Sequence, residues 1–122
     1  MFVADSRSGV LIYNPKNANS SPIGSIATGV SVPAGLAVDN KNNLYVTNDG
    51  NNTVTVYPKG SSSPSLTIST GVDGPYGVTV DSKGNVFVSN LDNNTVTAYA
   101  AGQTSRTRRS VSMRTVRRSV SV

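Results

Sequence analysis

The sequence predicts an all-β fold in which one four-stranded antiparallel unit is copied in tandem. The segment VTNDGNNTVTVY at residues 46–57 recurs as VSNLDNNTVTAY at residues 88–99, at an offset of 42 residues. Apolar residues alternate with polar ones in short segments, and no stretch has the 3.6-residue apolar period of an amphipathic helix. The sequence therefore predicts a tandem repeat of β-strands without helices, which is an all-β fold.

The repeat keeps its register over several separate segments. Residues 33–39 (PAGLAVD) recur as 75–81 (PYGVTVD), and Tyr57 recurs as Tyr99 at the same offset. An earlier copy begins partway through the unit, because FVAD at residues 2–5 stands where YVTN stands at residues 45–48. The chain therefore holds about two and a half units.

Each full unit divides into four short strands. In the copy at residues 33–74 they are predicted at 35–39, 43–48, 53–57 and 65–69. These segments are rich in β-branched and alternating apolar residues, and Asn, Asp, Gly, Ser and Lys occupy the turns between them. Four strands in a unit of about 40–45 residues are typical of one blade of a β-propeller. The predicted architecture is thus an incomplete propeller of about two and a half blades.

Three motifs of the unit resemble a known family. The patterns P-x-G-[LV]-x-V-D, [GN]-N-[LV]-[YF]-V-[ST]-N and N-N-T-V-T-x-Y are similar to the NHL repeat of six-bladed propellers, from residue 2 to about residue 105. The basic residue that many NHL repeats carry before the third strand is replaced by Thr53 and Thr95. The resemblance implies a propeller fold and a general binding role.

The chain is predicted to divide into four parts. They are a partial blade at 1–32, a blade at 33–74, a blade lacking a regular last strand at 75–105, and a basic low-complexity tail at 106–122. Because both ends of the stack expose apolar sheet faces, self-association through the open blade edges is expected. We favour a fragment of a longer protein, and the alternative is a ring of several copies.

The basic charge is concentrated in the tail. Residues 1–105 carry five basic and six acidic side chains, whereas the tail carries six arginines and no acid. The favoured interpretation is a frameshift or a mis-set gene end, because Arg106 stands where the repeat has Pro64 and the blade pattern is lost. The alternatives are phosphorylation sites or an arm that binds nucleic acid or an anionic surface. The candidate anion contacts are Arg106, Arg108, Arg109, Arg114, Arg117 and Arg118.

We interpret most of the repeated polar residues as structural. Asp39 and Asp81 are predicted to accept backbone N–H bonds in Asx-type turns, with a cation site as the alternative. Gly35 and Gly77 are expected where one strand approaches another chain segment closely. The exposed loop residues that could contact a ligand are Asp49, Asn51, Asn52, Asp92, Asn93 and Asn94.

The composition disfavours catalysis. The chain contains no His, Glu or Cys, so a Ser–His pair, a His base and a thiolate nucleophile are all excluded. We predict a non-catalytic scaffold without a metal or cofactor, binding an unknown protein or other macromolecule. Related six-bladed propellers include lactonases and lyases, so a fragment of such an enzyme without its active site is the alternative. No signal peptide or apolar span is expected in these residues, and the compartment is undetermined.

Overall fold

The computed structural model describes residues 1–7, 9–14, 16, 21–105 and 111–112. These residues form three antiparallel sheets that do not close into a ring, and they contain no helix. It follows that no described helix is long and apolar enough to cross a membrane. The predicted all-β class and the incomplete set of propeller blades are confirmed.

Each sheet is an antiparallel meander, and we call the three sheets blades A, B and C. Blade A contains β1 (Phe2–Asp5), β2 (Gly9–Ile12) and β3 (Gly24–Ile26). Blade B contains β4 (Pro33–Val38), β5 (Leu44–Asn48), β6 (Thr53–Tyr57) and β7 (Leu66–Ile68). Blade C contains β8 (Pro75–Val80), β9 (Val86–Asn90), β10 (Thr95–Tyr99) and β11 (Val111–Ser112).

Blades B and C share one hydrogen-bonding register. Val46 on β5 lies opposite Leu36 on β4 and Thr55 on β6, and Val88 on β9 has the equivalent neighbours Val78 and Thr97. Both first strands also carry an irregularity, between Pro33 and Leu36 and between Pro75 and Val78. The sequence repeat is therefore a repeat of pairing geometry as well.

The predicted strand bounds need small corrections. β6 spans the predicted residues. β4 starts two residues earlier than predicted, at Pro33, because the irregularity lets this proline pair with β5. A proline is tolerated at the first position of a strand, where its missing N–H is not needed. β4 ends before Asp39, since that residue belongs to the following turn. β5 and β7 begin one residue later than predicted, and β7 ends one residue earlier, at Ile68.

The last strand of blade C departs from the repeat. β11 pairs with β10 so that Val111 lies opposite Val96, whereas the 42-residue offset from Ile68 would place Ser110 there. A slip of one residue thus brings an apolar residue type to the position that Ile68 holds in blade B. The six predicted anion contacts lie outside the described residues: Arg106, Arg108, Arg109, Arg114, Arg117 and Arg118.

Two apolar cores lie between the blades. The core between blades A and B is formed by Val10, Ile26, Leu44, Val46 and Tyr57. The core between blades B and C is formed by Tyr45, Val54, Val56, Ile68, Val72, Val78, Val86, Val88 and Tyr99. Successive residues of β5 enter different cores, as the two-residue period of a strand requires. Blade B therefore buries both of its faces only because it has a neighbour on each side.

Gly35 marks the closest approach between blades B and C. A Cβ atom at this position would collide with the carbonyl oxygen of Tyr76 and would lie 3.4 Å from Cα of Gly77. The Thr47 hydroxyl accepts a hydrogen bond from the Gly35 N–H at 2.7 Å and donates one to the Tyr76 carbonyl at 2.9 Å. The predicted close approach at Gly35 is confirmed.

Candidate interaction surface

The turns at one end of the blades form a continuous surface with the linkers between blades. In an antiparallel meander, every second turn lies at the same end of the sheet. This end, which we call the linker rim, comprises the turns at 5–9, 49–52 and 91–94 and the linkers at 27–32 and 69–74. All six predicted loop contacts lie on it with exposed side chains: Asp49, Asn51, Asn52, Asp92, Asn93 and Asn94.

Backbone hydrogen bonds join the turns of blades B and C in the linker rim to the linkers before them. In blade B, the Asp49 N–H donates to the Val32 carbonyl at 3.1 Å, and the Gly50 N–H donates to the Ser31 carbonyl at 3.0 Å. In blade C, the Leu91 N–H donates to the Gly74 carbonyl at 2.9 Å. These bonds pair backbone N–H and C=O groups of the loops, so they hold the turns in a fixed position against the linkers.

Two buried amides support the rim from below. The side-chain oxygen Oδ1 of Asn48 accepts a hydrogen bond from the Ser31 N–H at 3.1 Å, and its side-chain nitrogen Nδ2 donates one to the Thr55 hydroxyl at 3.1 Å. Asn90 makes the equivalent bonds to the Asp73 N–H and the Thr97 hydroxyl. Each amide therefore joins its own strand to the next strand of the blade and also holds the linker.

Three of the predicted contact residues serve the fold itself. Asn51 and Asn93 accept the hydroxyl protons of Thr53 and Thr95, at 2.6 and 2.5 Å. Asn52 accepts from the Gly74 N–H at 2.9 Å, and this bond joins the turn of blade B to the linker of blade C. Their side chains therefore hold the rim in shape. The other three remain the candidates for contact with a ligand: Asp49, Asp92 and Asn94.

Exposed apolar side chains accompany these polar residues. Val32, Tyr76 and Leu91 expose 48%, 61% and 55% of their surface at or beside the rim. The sequence interpretation missed them because it weighed only polar loop residues. Leu91 could have been noticed, since it is an apolar residue at the repeat position that Asp49 occupies in blade B.

Val32 adopts a backbone conformation that valine rarely takes. Its φ angle is 45°, in the left-handed region, and the equivalent Gly74 has a φ of 57°. A β-branched residue with positive φ is an outlier, and the left-handed region costs an L-residue roughly 1–2 kcal/mol. The rim therefore keeps an exposed valine where the repeat elsewhere uses glycine.

Charge is divided between the two ends of the blades. Apart from Arg7, the charged side chains of the linker rim are the aspartates Asp5, Asp49, Asp73 and Asp92. At the opposite end, Asp39 and Asp81 are outnumbered by Lys16, Lys41, Lys59 and Lys83. A nearly neutral body thus has one acidic end and one basic end.

The two aspartates of the basic end are committed to turns. Oδ1 of Asp39 accepts from the N–H groups of Lys41 and Asn43, and Oδ2 accepts from the Asn43 amide, each at 2.9 Å. Asp81 makes the same three bonds to Lys83 and Asn85. The predicted Asx-type turns are confirmed, and both oxygens of each carboxylate already have partners.

Hydrogen bonds keep both carboxyls ionised. Burial raises the pKa of Asp39, but the bonds from Asn43, Tyr45 and Lys41 outweigh it, so the pKa lies below its ordinary value of 3.8. The bonds from Asn85 are the main cause of the lowered pKa of Asp81. Burial, together with the bond to Asp39 at 2.9 Å, raises the pKa of Tyr45 to about 12.

A cleft of about 420 Å³ opens at this end between blades B and C, and Asp39, Tyr45 and Asp81 line it. Near pH 7 its carboxylates are ionised and its phenol is protonated, so these groups are not poised to exchange protons with a substrate. Within the described ranges, no three acidic, His or Cys side chains are grouped to hold a metal ion.

A second cavity, of about 500 Å³, lies between blades A and B. Its walls are largely apolar and include Phe2, Ile12, Val38 and Leu44. Val38 remains 47% exposed there. The cavity therefore marks a place where blade A covers blade B incompletely.

Comparison with known proteins supports the fold and a coarse role. Residues 31–57, which run from the linker through β6, match the family model of the NHL repeat. The resemblance read from the sequence motifs is thus supported in blade B. The match indicates a propeller-type protein-interaction scaffold. A search of curated proteins found no match.

Proposed function

We propose that this chain is a non-catalytic propeller segment that binds another protein through its linker rim. The observation that carries the proposal is the NHL-repeat match across residues 31–57. These residues include the first three strands of blade B, the middle blade, and its rim turn at 49–52. Scaffolds of this kind act by presenting loops on a rigid frame. The rim has that character, since hydrogen bonds join the turns of blades B and C to the linkers, and the linkers to buried amides.

The rim also has the composition of a protein-binding surface. It combines the exposed apolar groups of Val32, Tyr76 and Leu91 with the carboxylates of Asp49 and Asp92. Aromatic and aliphatic groups give an interface its buried centre, while charges at the edge select a complementary partner. The preferred partner is therefore a protein segment with basic and apolar side chains.

A non-catalytic role is supported by the chemistry of the cleft at the opposite end. Its two carboxyls and its phenol, on Asp39, Asp81 and Tyr45, are hydrogen-bonded to neighbours and keep one protonation state near neutral pH. A fragment of a lactonase-like hydrolase or of a lyase is the competing proposal. Measurable hydrolysis of simple lactones by the purified chain would favour that competitor.

We also propose that the natural propeller has more blades than residues 1–122 provide. The favoured source of these blades is a longer protein that is interrupted near residue 105. Sequencing the DNA around the reading frame tests this point. A shifted frame that resumes the blade motifs after codon 105 supports it, and an intact frame without such motifs contradicts it.

Selection from a displayed library of random peptides tests the rim. We expect the chain to enrich peptides that carry basic and apolar residues, and the double variant Asp49→Lys/Asp92→Lys to lose them. The matched control is Lys41→Glu/Lys83→Glu, which changes the same number of charges at the opposite end and should retain binding. Loss of the peptides in the control but not in the rim variant would contradict the proposal.

A further inference from the structure

The cavity between blades A and B (the A–B cavity) and the cleft between blades B and C (the B–C cleft) occupy the same place in the repeat. One wall of each space is formed by equivalent residues, which are Phe2, Ile12 and Ile26 in blade A and Tyr45, Val56 and Ile68 in blade B. The opposite wall includes the segment after the third strand of the next blade, at 58–62 or 100–103. The repeat therefore builds one kind of space twice, and the differences between the two show what each can hold.

One repeat position gives the A–B cavity room that the B–C cleft lacks. Gly24 lies opposite Ile12 in blade A, as Leu66 lies opposite Val56 in blade B, and Leu66 lines the B–C cleft. Among the described residues, a Cβ atom on Gly24 would meet only the Ile12 side chain, at an ordinary 3.5 Å. The φ angle of Gly24 lies outside the left-handed region, so the backbone does not require glycine there. Glycine at this position thus leaves open the volume that a leucine side chain takes up in the next blade.

The walls of the A–B cavity are apolar and incompletely covered. Val38 and Phe2 are 47% and 36% exposed, whereas their equivalents at the B–C cleft are the half-buried Val80 and Tyr45, which is 7% exposed. Tyr45 also brings a hydroxyl into the B–C cleft, where it donates to Asp39 at 2.9 Å, and Phe2 has no such group. Covering exposed apolar surface is favourable, so the A–B cavity suits the apolar body of a ligand.

Lys59 adds a positive charge to the A–B cavity. Among the described residues that line the cavity, it is the only charged one, and its side chain is exposed. Blade C has Ala101 at this repeat position. The B–C cleft is lined instead by two lysines and two aspartates, whose charges balance. Of the two spaces, the A–B cavity is therefore the one whose charge favours an anion.

The A–B cavity is compatible with a longer protein. In the B–C cleft, the first turn of blade B, at 39–43, forms part of the wall, and the cleft still holds about 420 Å³. A first turn that precedes β1 in a longer protein would take the equivalent place beside the A–B cavity. Such a turn would therefore line the cavity without filling it.

We propose that the A–B cavity binds a small amphipathic carboxylate, with its alkyl chain against the apolar walls of both blades and its carboxylate beside Lys59. The volume of about 500 Å³ is that of a ligand pocket, since such pockets hold about 300–1,000 Å³. Burial of the alkyl chain supplies most of the affinity, and the single charge orients the ligand. The cavity lies at the end of the blades opposite the linker rim, so this proposal goes beyond protein binding by the rim and can fail without affecting it.

Titration of the 122-residue chain with decanoate, followed by NMR, is the first test. Decanoate should bind saturably, with a dissociation constant on the order of 1 mM or lower. It should shift the backbone amide signals of residues 24–26, 42–44 and 59–62 more than those of residues 81–84 and 100–103. Hexanoate has a shorter chain and should bind at least about tenfold more weakly, because each buried methylene group changes the affinity about fourfold. Decylammonium has the same chain and the opposite charge, and it should bind about fivefold more weakly. No saturable binding of decanoate, or equal affinities for decanoate and decylammonium, would overturn the proposal.

Substitutions in the cavity wall test the location of the site. Gly24→Leu gives blade A the side chain that Leu66 provides in blade B, and by filling the cavity it should weaken decanoate binding at least about tenfold. Lys59→Glu should weaken it about fivefold. The matched control is Lys83→Glu, which makes the same charge change at an exposed lysine of the B–C cleft and should leave binding unchanged. Circular dichroism should report the same β content in all variants, and the two lysine variants test the site even if Gly24→Leu does not fold. Equal effects of Lys59→Glu and Lys83→Glu, or undiminished binding by a folded Gly24→Leu chain, would overturn the proposal.

Discussion

The hydroxyl of Tyr57 donates a hydrogen bond of 2.7 Å to the backbone carbonyl of Thr28, 29 residues earlier in the chain. Thr28 lies just after β3 of blade A, and Tyr57 ends β6 of blade B, so the bond joins two blades. Tyr99 and Thr70 repeat it between blades B and C. The recurring tyrosine therefore fixes the distance between neighbouring sheets as well as filling the core.

The first prediction concerns this bond. Tyr57 is fully buried, so Tyr57→Phe should leave the Thr28 carbonyl without its partner and lower the free energy of unfolding by about 1–3 kcal/mol. Urea denaturation followed by circular dichroism measures the change. The matched control is Tyr76→Phe, in which the ring is exposed and the loss should be below about 0.5 kcal/mol. Equal effects of the two substitutions would contradict the role assigned to Tyr57.

The second prediction concerns the contact between blades B and C. Gly35→Ala should destabilise the chain by about 1–3 kcal/mol, because the added methyl group collides with the Tyr76 carbonyl and forces the two first strands apart. Gly24→Ala is the control, since its methyl group would meet only the Ile12 side chain at an ordinary 3.5 Å. Thermal unfolding of both variants would show whether the close approach is as tight as described.

The third prediction concerns the strained linker. Val32→Gly should raise the free energy of unfolding by about 1 kcal/mol, because glycine takes the left-handed conformation that Gly74 already uses in the next linker. The reciprocal change, Gly74→Val, should be strongly destabilising, since a Cβ atom there would collide with the Asp92 carboxylate. A stabilising Gly74→Val substitution would show that the two linkers differ more than their angles indicate.

The fourth prediction compares two equivalent turns. Asp39→Ala should cost about 1–3 kcal/mol and more than Asp81→Ala, because Asp39 also accepts from the Tyr45 hydroxyl, and blade C has Phe87 at that position. In the variant, the phenol of the buried Tyr45 would lose its acceptor. When both aspartate substitutions are made in a Tyr45→Phe chain, they should lower the free energy of unfolding by equal amounts. A larger loss for Asp39→Ala in that chain would contradict this explanation.

The fifth prediction follows from the lowered pKa values of Asp39 and Asp81. A carboxyl whose folded-state pKa lies below 3.8 stabilises the fold above that pH and loses this contribution as the pH falls through the folded-state pKa. The wild-type chain should therefore lose stability below about pH 4, and Asp39→Ala/Asp81→Ala should lose less over the same range. Denaturation midpoints between pH 2.5 and 6 would measure the two slopes.

Much of the fold could be predicted from the sequence because the repeat reports both strand positions and strand order. Tyr57, Tyr99 and Asp39 recur with their partners, so one register accounts for their hydrogen bonds. The slip of β11 could not be predicted, since it depends on which residue can stand opposite Val96 once the pattern is broken.

The candidate surface was predicted only in part. Its polar residues could be placed on loops, but their division between structural and free groups depends on distances that no motif states. Asn52 illustrates this, because its acceptor bond reaches Gly74, which lies in the next linker. The apolar side chains of Val32 and Tyr76 were missed since their exposure follows from linker geometry and not from residue type.

The measurement that tests the stacked-blade account most directly is a nuclear Overhauser contact between Gly35 and Gly77. A Cβ atom built on Gly35 lies 3.4 Å from Cα of Gly77, so the α-protons of the two glycines should give a strong cross-peak. The contacts of Leu36 with Val46 within blade B serve as the internal reference. A strong glycine–glycine peak is the predicted result. Its absence, with the peaks within blade B present, would contradict the account.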